Sequence, residues 1–371
     1  MLDTFYMKKA IELAKKGEFT TAPNPNVGCI IVNNNEIVGQ GWHCQTGKEH
    51  AEIIALNMAG SKAIGSTMYV TLEPCSNFGH TPPCFNIIKK SGITKIVIAT
   101  QDPNPLNSGK SISFLANSNI QVKINILANE SKKINKGFFK RMETGLPFVQ
   151  LKLGASIDGR TATVHGHSKW ITSIQSRKDV QYYRAKSSAI LSSSNTILND
   201  NPYLTVRLEE IDKTVMLQKE IKNTFKQPIR IIIDSQNKIK NNYNCINQQG
   251  NVFLIRTKKD CHKWPANVQQ IIVKATNKKI DLKNLFLLLG TYQINNIWVE
   301  AGPTLSGLLI EKKIIDELII YISPKILGHT SKPLFIIEKT LKLPPNFIKL
   351  SFTDVRKIGP DIRITIKPIY L

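Results

Sequence analysis

Acidic residues are scarce in this chain of 371 residues: 27 Asp and Glu stand against 50 Lys and Arg, a formal net charge of +23. Arginine is scarcer still, nine against 41 lysines, with none before Arg141. That shortage counts against polynucleotide binding, where the planar guanidinium pairs with phosphates and guanine edges. Asn and Ile are plentiful, as in Asn33–Asn35 and residues 241–247, so the Lys excess reads first as compositional bias on solvated surface. A field that attracts small phosphorylated molecules is the second reading of the same charge. Long apolar runs are missing too. None reaches the roughly 18 residues of a membrane span, and the stretch 314–322 carries acidic residues. The N-terminus, charged throughout, predicts an amphipathic helix and not a signal peptide. Six cysteines, most of them isolated, make no disulfide framework and fit a reduced, cytoplasmic setting. There is no GxGxxG, no internal repeat and no low-complexity tract. Hydrophobic (42%) and charged (21%) fractions are near globular averages, which excludes wholesale disorder, and the length suggests two domains.

Helical and strand patterns alternate along both halves, which predicts an α/β layer architecture. In residues 1–145 the periodicity predicts helices over 3–16, 50–59, 83–91 and 129–143. Strands are predicted over 27–32, 36–42, 67–72, 95–100 and 122–126. In residues 146–371 strands are predicted over 148–153, 189–192, 229–234, 252–255, 297–300, 317–322 and 363–368, with helices over 178–185 and 305–311. A charged, weakly periodic stretch at 209–227 reads as a helix-containing surface insertion. The domain boundary is expected near 145, giving domains 1–145 and 146–371 with net charges of +6 and +17.

The chemistry concentrates first in residues 20–84. His50-Ala51-Glu52 opens a helix, and Pro74-Cys75 and Cys84 follow. One imidazole and two thiolates leave the fourth position of a tetrahedral zinc open for water, as in catalytic sites. Glu52 is not a ligand and can move the proton of that water. The pattern is that of zinc nucleobase deaminases, H-x-E…P-C-x-x-C, except that eight residues separate the cysteines here. His80 lies between them and is a competing ligand. Ahead of the site, Pro23-Asn24-Pro25-Asn26 forms a rigid loop whose amides could read the edge of a heterocycle, with Asn24 the candidate contact. An ordinary turn is the alternative.

The second half offers short polar clusters at strand ends: residues 152–160 (KLGASIDGR), 168–172 (SKWIT), 199–207 (NDNPYLTVR) and 300–305 (EAGPTL). Glycine turns that open helices bind phosphates through free N–H groups. Arg184 and Arg207 are two of the nine arginines, and their residue type suits bidentate capture of a phosphate. Lys152 and Asp200 are candidates for positioning or proton transfer.

Together PNPNVG, HAE, TLEPCSNFGHTPPC and QDPNP resemble the deaminase half of the bifunctional riboflavin biosynthesis deaminase–reductase family. KLGASIDGRTA, WIT, DNPYLTVR, PIRIIIDS and WVEAGPTL resemble its reductase half. The resemblance covers nearly the whole chain. It implies a cytidine-deaminase-like three-layer domain followed by a dihydrofolate-reductase-like α/β domain. It also implies zinc on His50, Cys75 and Cys84 with Glu52 as proton shuttle, and NADPH as the reductant. By the same resemblance Ala155, Trp170, Thr196, Asp200, Ser235, Gly302, Pro303, Thr304, Leu305, Ser306 and Gly307 would contact NADPH. Ser168, Arg184, Leu204, Arg207 and Glu300 would contact the phosphoribosyl substrate. The implied reactions are loss of the 2-amino group from 2,5-diamino-6-(5-phosphoribosylamino)pyrimidin-4(3H)-one and reduction of the resulting uracil's ribose to a ribityl chain. A homo-oligomer with small-molecule partners, free of membrane and nucleic acid, is expected. Two other classes remain: a zinc deaminase aimed at a polynucleotide base, and a non-enzymatic basic RNA-binding protein, which would leave Glu52 and the three ligand positions unexplained.

Overall fold

The computed structural model describes residues 2–76, 83–211, 224–276, 279–337 and 347–370. The chain forms two compact units, Met1–Leu146 and Pro147–Leu371. His80 and most of the 209–227 stretch lie outside the described residues. At the start of that stretch a single 3-10 turn covers Leu208–Glu210.

Unit 1 runs α1 (Leu2–Lys15), β1 (Gly28–Asn33), β2 (Glu36–Trp42), α2 (Ala51–Ala59), β3 (Thr67–Val70), α3 (Cys84–Lys90), β4 (Lys95–Ile98), α4 (Lys110–Ala116), β5 (Gln121–Lys123), α5 (Ala128–Ile134) and α6 (Lys136–Thr144). The strands make one sheet in the order β2-β1-β3-β4-β5. β1 is antiparallel to β2 and β3, while β3, β4 and β5 are parallel. Successive side chains of a strand point to opposite faces, and β1 shows it. Cys29 and Ile31 join a core with α2 and α3. Ile30 and Val32 join a second core with Met7, Ala10 and Ile11 of α1. That is a three-layer α/β/α unit.

Two glycines of β2 set the seat of α2. A Cβ at Gly39 would stand 2.2 Å from Ala55 O, and one at Gly41 2.5 Å from Ala51 O. Only glycine lets the helix lie so close on this strand, and that contact fixes where α2 begins.

The helix predicted over 129–143 is two helices. Asn135 leaves helical geometry between them (φ −124°, ψ 24°) because its side chain is engaged elsewhere: Oδ1 accepts from Asn26 N at 2.7 Å and Nδ2 donates to Asn26 O at 2.9 Å.

Unit 2 contains β6 (Phe148–Ser156), α7 (Ile174–Lys186), β7 (Ala189–Ser193), α8 (Ser194–Asp200), β8 (Ile229–Ile233), β9 (Val252–Arg256), β10 (Val268–Ile272), α9 (Leu282–Thr291), β11 (Asn296–Glu300), α10 (Pro303–Glu311), β12 (Glu317–Ser323), β13 (Lys349–Ile358) and β14 (Asp361–Ile369), besides shorter pieces. Nine strands form one sheet in the order β10-β9-β8-β7-β11-β6-β12-β14-β13. It is parallel from β10 to β12 and closes with the antiparallel β14 and β13. Strands covered on both faces read as unbroken apolar runs, as in the Ile231-Ile232 and Phe253-Leu254-Ile255 segments. Parallel strands bring their carboxyl ends to one edge of the sheet, where a crevice can take ligands. The ends of β7, β8 and β11 deliver Ser193, Ser235 and Glu300 to that edge.

Candidate active sites

In unit 1, His50 is the N-cap of α2, so its side chain and that of Glu52 enter from the first turn of a helix seated tightly on β2. Cys84 opens α3 directly after Pro83, and Cys75 comes from the segment leaving β3. The structure brings the three together: His50 Nδ1 lies 3.1 Å from Cys84 Sγ and 3.5 Å from Cys75 Sγ. The backbone N–H of Cys84 also donates to Cys75 Sγ at 3.3 Å. All three ligand atoms lie within 4.8 Å of one another. Ligand atoms about 2.0–2.3 Å from one tetrahedral ion stand about 3.5 Å apart, so the triad has the dimensions zinc needs.

The three groups share protons closely. A hydrogen bond from Cys84, aided by His50, outweighs burial and draws the Cys75 thiol down to about 4. The bond to Cys75 in turn raises Cys84 and lifts His50 to about 9. Glu52 is buried beside them, and burial pushes its carboxyl up against the opposing pull of His50.

The neighbouring loops hold this arrangement. Glu73 is buried and accepts from Asp102 N, Gly109 N, Ser111 N and Ser111 Oγ at 3.0–3.2 Å. Asn107 in turn donates to Pro74 O and Asp102 and accepts from Ser76 N, gripping the cysteine segment on both sides of Cys75. The Pro-Asn loop divides its labour. Asn26 is structural: its Oδ1 accepts from Thr21 Oγ1, its Nδ2 donates to Ile134 O, and its backbone N–H and carbonyl pair with the Asn135 side chain. Asn24 Nδ2 donates to His43 Nε2 at 3.2 Å, while His43 Nδ1 donates to Glu49 O at 3.0 Å. The His43 ring stands 5.5 Å edge-on from that of His50. Sequence reasoning missed His43, because a lone histidine carries no spacing signal.

In unit 2 a cleft of about 1590 Å³ opens along the carboxyl edge of the sheet. Lys152, Ser168, Trp170, Arg184, Thr196 and Asp200 line it. So do Leu204, Arg207, Ser235 and Glu300, and Gly302 to Leu305 at the start of α10. Three residues expected there are not on its wall. Ala155 and Ser306 are buried in the packing. Gly307 is pressed against the backbone of Ile336, where a Cβ would stand 1.8 Å from the carbonyl oxygen.

Glu300 is the hub of the cleft. It accepts from Arg184 Nε at 2.6 Å, Arg184 Nη2 at 2.9 Å and Trp298 Nε1 at 2.9 Å. Burial would raise its carboxyl, but Arg184 prevails and holds it at about 2. Lys152 feels burial most, then the charges of Glu300 and Arg184, and its ammonium is lowered. Arg184 Nη1 also donates to Thr205 O at 2.8 Å. Three of its five N–H groups are thus committed within the protein, which differs from an arginine free for bidentate phosphate capture. Ser168 Oγ reaches Asp200 Oδ1 at 3.5 Å, and Arg177 stacks on the exposed Trp170 ring at 4.3 Å. Asn201, in left-handed geometry after Asp200, is tied to Asn244 by two hydrogen bonds.

Residues 147–364 match the family profile described as the RibD C-terminal domain, and residues 1–100 match the cytidine and deoxycytidylate deaminase zinc-binding region. The riboflavin biosynthesis protein RibD of Buchnera aphidicola subsp. Baizongia pistaciae is 56% identical over 367 residues, 98% of each chain. The chain belongs to the RibD family. A solved RibD-family structure from Thermotoga maritima, a diaminohydroxyphosphoribosylaminopyrimidine deaminase/5-amino-6-(5-phosphoribosylamino)uracil reductase, superposes with a TM-score of 0.86. It is 30% identical and covers 99% of both chains. A shorter relative from Buchnera aphidicola subsp. Acyrthosiphon pisum, a 5-amino-6-(5-phosphoribosylamino)uracil reductase, is 52% identical over 204 residues, 55% of this chain and 98% of its own. Like other RibD proteins, this one is a bifunctional deaminase and reductase of riboflavin biosynthesis, with a zinc-binding deaminase half and an NADPH-dependent reductase half. The two sites fit those groups. The His-Cys-Cys donor set has the softness and spacing for zinc. The cleft is larger than a single small ligand requires, and beside Gly302 nothing stands within 4 Å of where a side chain would begin.

Proposed function

We propose that unit 1 deaminates 2,5-diamino-6-(5-phosphoribosylamino)pyrimidin-4(3H)-one to 5-amino-6-(5-phosphoribosylamino)uracil, and that unit 2 reduces the ribosyl group of that product to ribityl. The observation that carries this reading is the joint presence in one chain of the His50-Cys75-Cys84 triad with Glu52 beside it and the Lys152–Glu300 cleft.

His50, Cys75 and Cys84 would hold the zinc. When bound, zinc supplies a Lewis acid that makes water a competent nucleophile near neutral pH. Glu52, shielded from bulk solvent, takes a proton of the water at a carboxylate oxygen and gives it to the ring nitrogen, then takes the proton of the added hydroxyl and gives it to the departing amine. Asn24, held by the buried His43, would orient the pyrimidine edge through its Oδ1, which has no protein partner among the described residues. In unit 2, Gly302 to Leu305, Ser235, Thr196 and Trp170 would bind NADPH, which supplies the hydride for C1′. Lys152 or Asp200 provides the proton that the ribose ring oxygen must gain as the ring opens. Arg207 meets the substrate phosphate, while Arg184 and Glu300 shape the wall behind the ribose.

The test follows zinc per chain, ammonia release and NADPH oxidation with the diaminopyrimidine substrate. About one zinc, one ammonia and one NADPH oxidised per turnover is the expected result. Zinc-free protein that releases no ammonia would sink the deaminase assignment. Tight, salt-sensitive RNA binding would favour the polynucleotide reading.

The same reading includes small-molecule partners only, a cytoplasmic location and self-association. No helix among the described residues is long and apolar enough to cross a membrane. β13 is an edge strand exposed along nearly its whole length, with Phe352 67% and Val355 61% accessible. So long an exposed edge, with Leu350, Phe352 and Val355 among its charged residues, is open to pairing, and a second copy of this chain is its proposed partner. Light scattering should return a multiple of 41.6 kDa, and Phe352→Lys should lower it. A monomeric mass for the unaltered protein at micromolar concentration would reject self-association.

A further inference from the structure

Arg207 lines the reductase cleft, and the backbone of residues 205–207 that leads to it is satisfied by side chains. Thr205 O accepts from Arg184 Nη1 at 2.8 Å. Val206 gives its N–H to Gln227 Oε1 at 2.8 Å and takes Gln227 Nε2 on its carbonyl at 2.9 Å. Arg207 N donates to Gln181 Oε1 at 3.1 Å, from the buried face of α7. The main chain is therefore pinned at three consecutive residues, and what freedom Arg207 keeps lies in its long side chain.

Glu210 removes that freedom. It stands three residues on, in the single 3-10 turn Leu208–Glu210, and its carboxylate clasps the side-on edge of the guanidinium. Nε donates to Oε1 at 2.5 Å and Nη2 to Oε2 at 2.9 Å. Of five N–H groups, the three left over are both on Nη1 and the outward one on Nη2. Together they form the end-on fork that matches an anion bidentately. No protein acceptor takes them among the described residues. Arg184 is clasped by Glu300 along the same Nε/Nη2 edge, but its Nη1 is tied to Thr205. The two arginines differ in the open end: Arg184 belongs to the wall, and Arg207 keeps a fork.

We infer that Glu210 is a positioning residue that aims the end-on fork of Arg207 at the phosphate of the ribosyl substrate. The inference rests on the proposal that Arg207 meets that phosphate. A half-exposed ion pair stabilises a fold little, so stability is a poor reason for this clasp. Its value lies in ordering a long side chain before the ligand arrives, which removes that cost from binding. The opposite role is also chemically possible. A carboxylate that competes with the phosphate for the fork would weaken binding, and its loss would tighten it, so the two roles predict opposite signs.

The test uses full-length Glu210→Gln, Arg207→Ala and the double variant. Each is assayed for NADPH oxidation with 5-amino-6-(5-phosphoribosylamino)uracil and with its dephosphorylated riboside. Glu210→Gln should raise KM for the phosphorylated compound on the order of tenfold, with kcat, KM for the riboside and KM for NADPH unchanged. The unchanged kcat and KM for NADPH show that the second unit is folded, and ammonia release by the same preparation should match the parent protein. Arg207→Ala should abolish the preference for the phosphorylated compound, and adding Glu210→Gln to it should change nothing further. A fall in KM on Glu210→Gln, or equal changes with both compounds, overturns the positioning role while leaving Arg207 as the phosphate contact. A preference that survives Arg207→Ala overturns both.

Discussion

Glu52→Gln should cut ammonia release by about 10²–10⁴-fold while zinc per chain and reduction of the pre-deaminated substrate stay at parent levels. The carboxamide keeps the volume of the carboxylate, so α2 can keep its seat on Gly39 and Gly41, and the buried site should not collapse. What is lost is the atom that accepts a proton. Glu52 is only 3% exposed, so bulk water has little access to replace it. Zinc should stay because the ligand atoms belong to His50, Cys75 and Cys84 and to no carboxylate. The reductase rate should stay because every group proposed for that step lies in the second unit. Metal analysis on the purified variant, ammonia release and NADPH oxidation on one preparation decide it. Loss of zinc would make Glu52 a structural partner of the triad, and undiminished ammonia release would remove it from the mechanism. His50→Ala should differ in kind, losing metal and activity together.

The deaminase centre was legible because its chemistry restricts residue type and placement at once. His50 and Glu52 must share the first turn of a helix. The two prolines before Cys84 announce a helix start, and Pro83 does precede α3. Positions that depend on contacts remote in sequence were not legible. The break at Asn135 comes from a contact with Asn26, 109 residues away, so periodicity ran on through it. For the same reason nothing local showed that the Asn26 carboxamide is committed to Thr21 and Ile134 while that of Asn24 meets His43. In the second unit the unbroken apolar strands of the sheet centre were readable. The hairpin strand β13 was not, because exposure along nearly its whole length leaves no alternation of apolar and polar residues to read. The helix α9 did carry a signal, the cap of Asp281 on Lys283 N and Asn284 N ahead of a leucine-rich run. Arg184 was marked by its rarity among lysines. Its partner Glu300 lies 116 residues further on, and only folding shows that much of its donor capacity is taken.

That pair carries the second large effect. Glu300→Gln should reduce the reductase rate by at least about 10²-fold and weaken unit 2, while deamination continues. The carboxylate balances Arg184 on two hydrogen bonds and stands among the charges felt by Lys152. Removing one partner of a buried, hydrogen-bonded pair destabilises by about 3–5 kcal/mol. Gln retains the volume and can still accept from Trp298 Nε1, so the lower end is expected. For a unit of this size about 3 kcal/mol corresponds to a melting point lower by about 6–12 °C. The pH dependence has a definite sign. Glu300 is held at about 2 in the fold, below the ordinary carboxylate value of 4.5. Its contribution is therefore complete above the unfolded value and fades as pH falls from there toward 2. The stability gap between parent and variant should be constant near neutrality and close over that acid window. Lys152 responds in the other direction: without the neighbouring anion its ammonium is less favoured, so any alkaline limb of the reductase profile that reports Lys152 should move to lower pH. The double variant Arg184→Met, Glu300→Gln should be more stable than the sum of its single changes, because neither charge is then left buried without its partner. Thermal melts across pH and initial rates of NADPH oxidation check both halves. A variant with parental kcat and an unmoved pH profile would reduce the pair to a structural strut, with no part in setting the charge on Lys152.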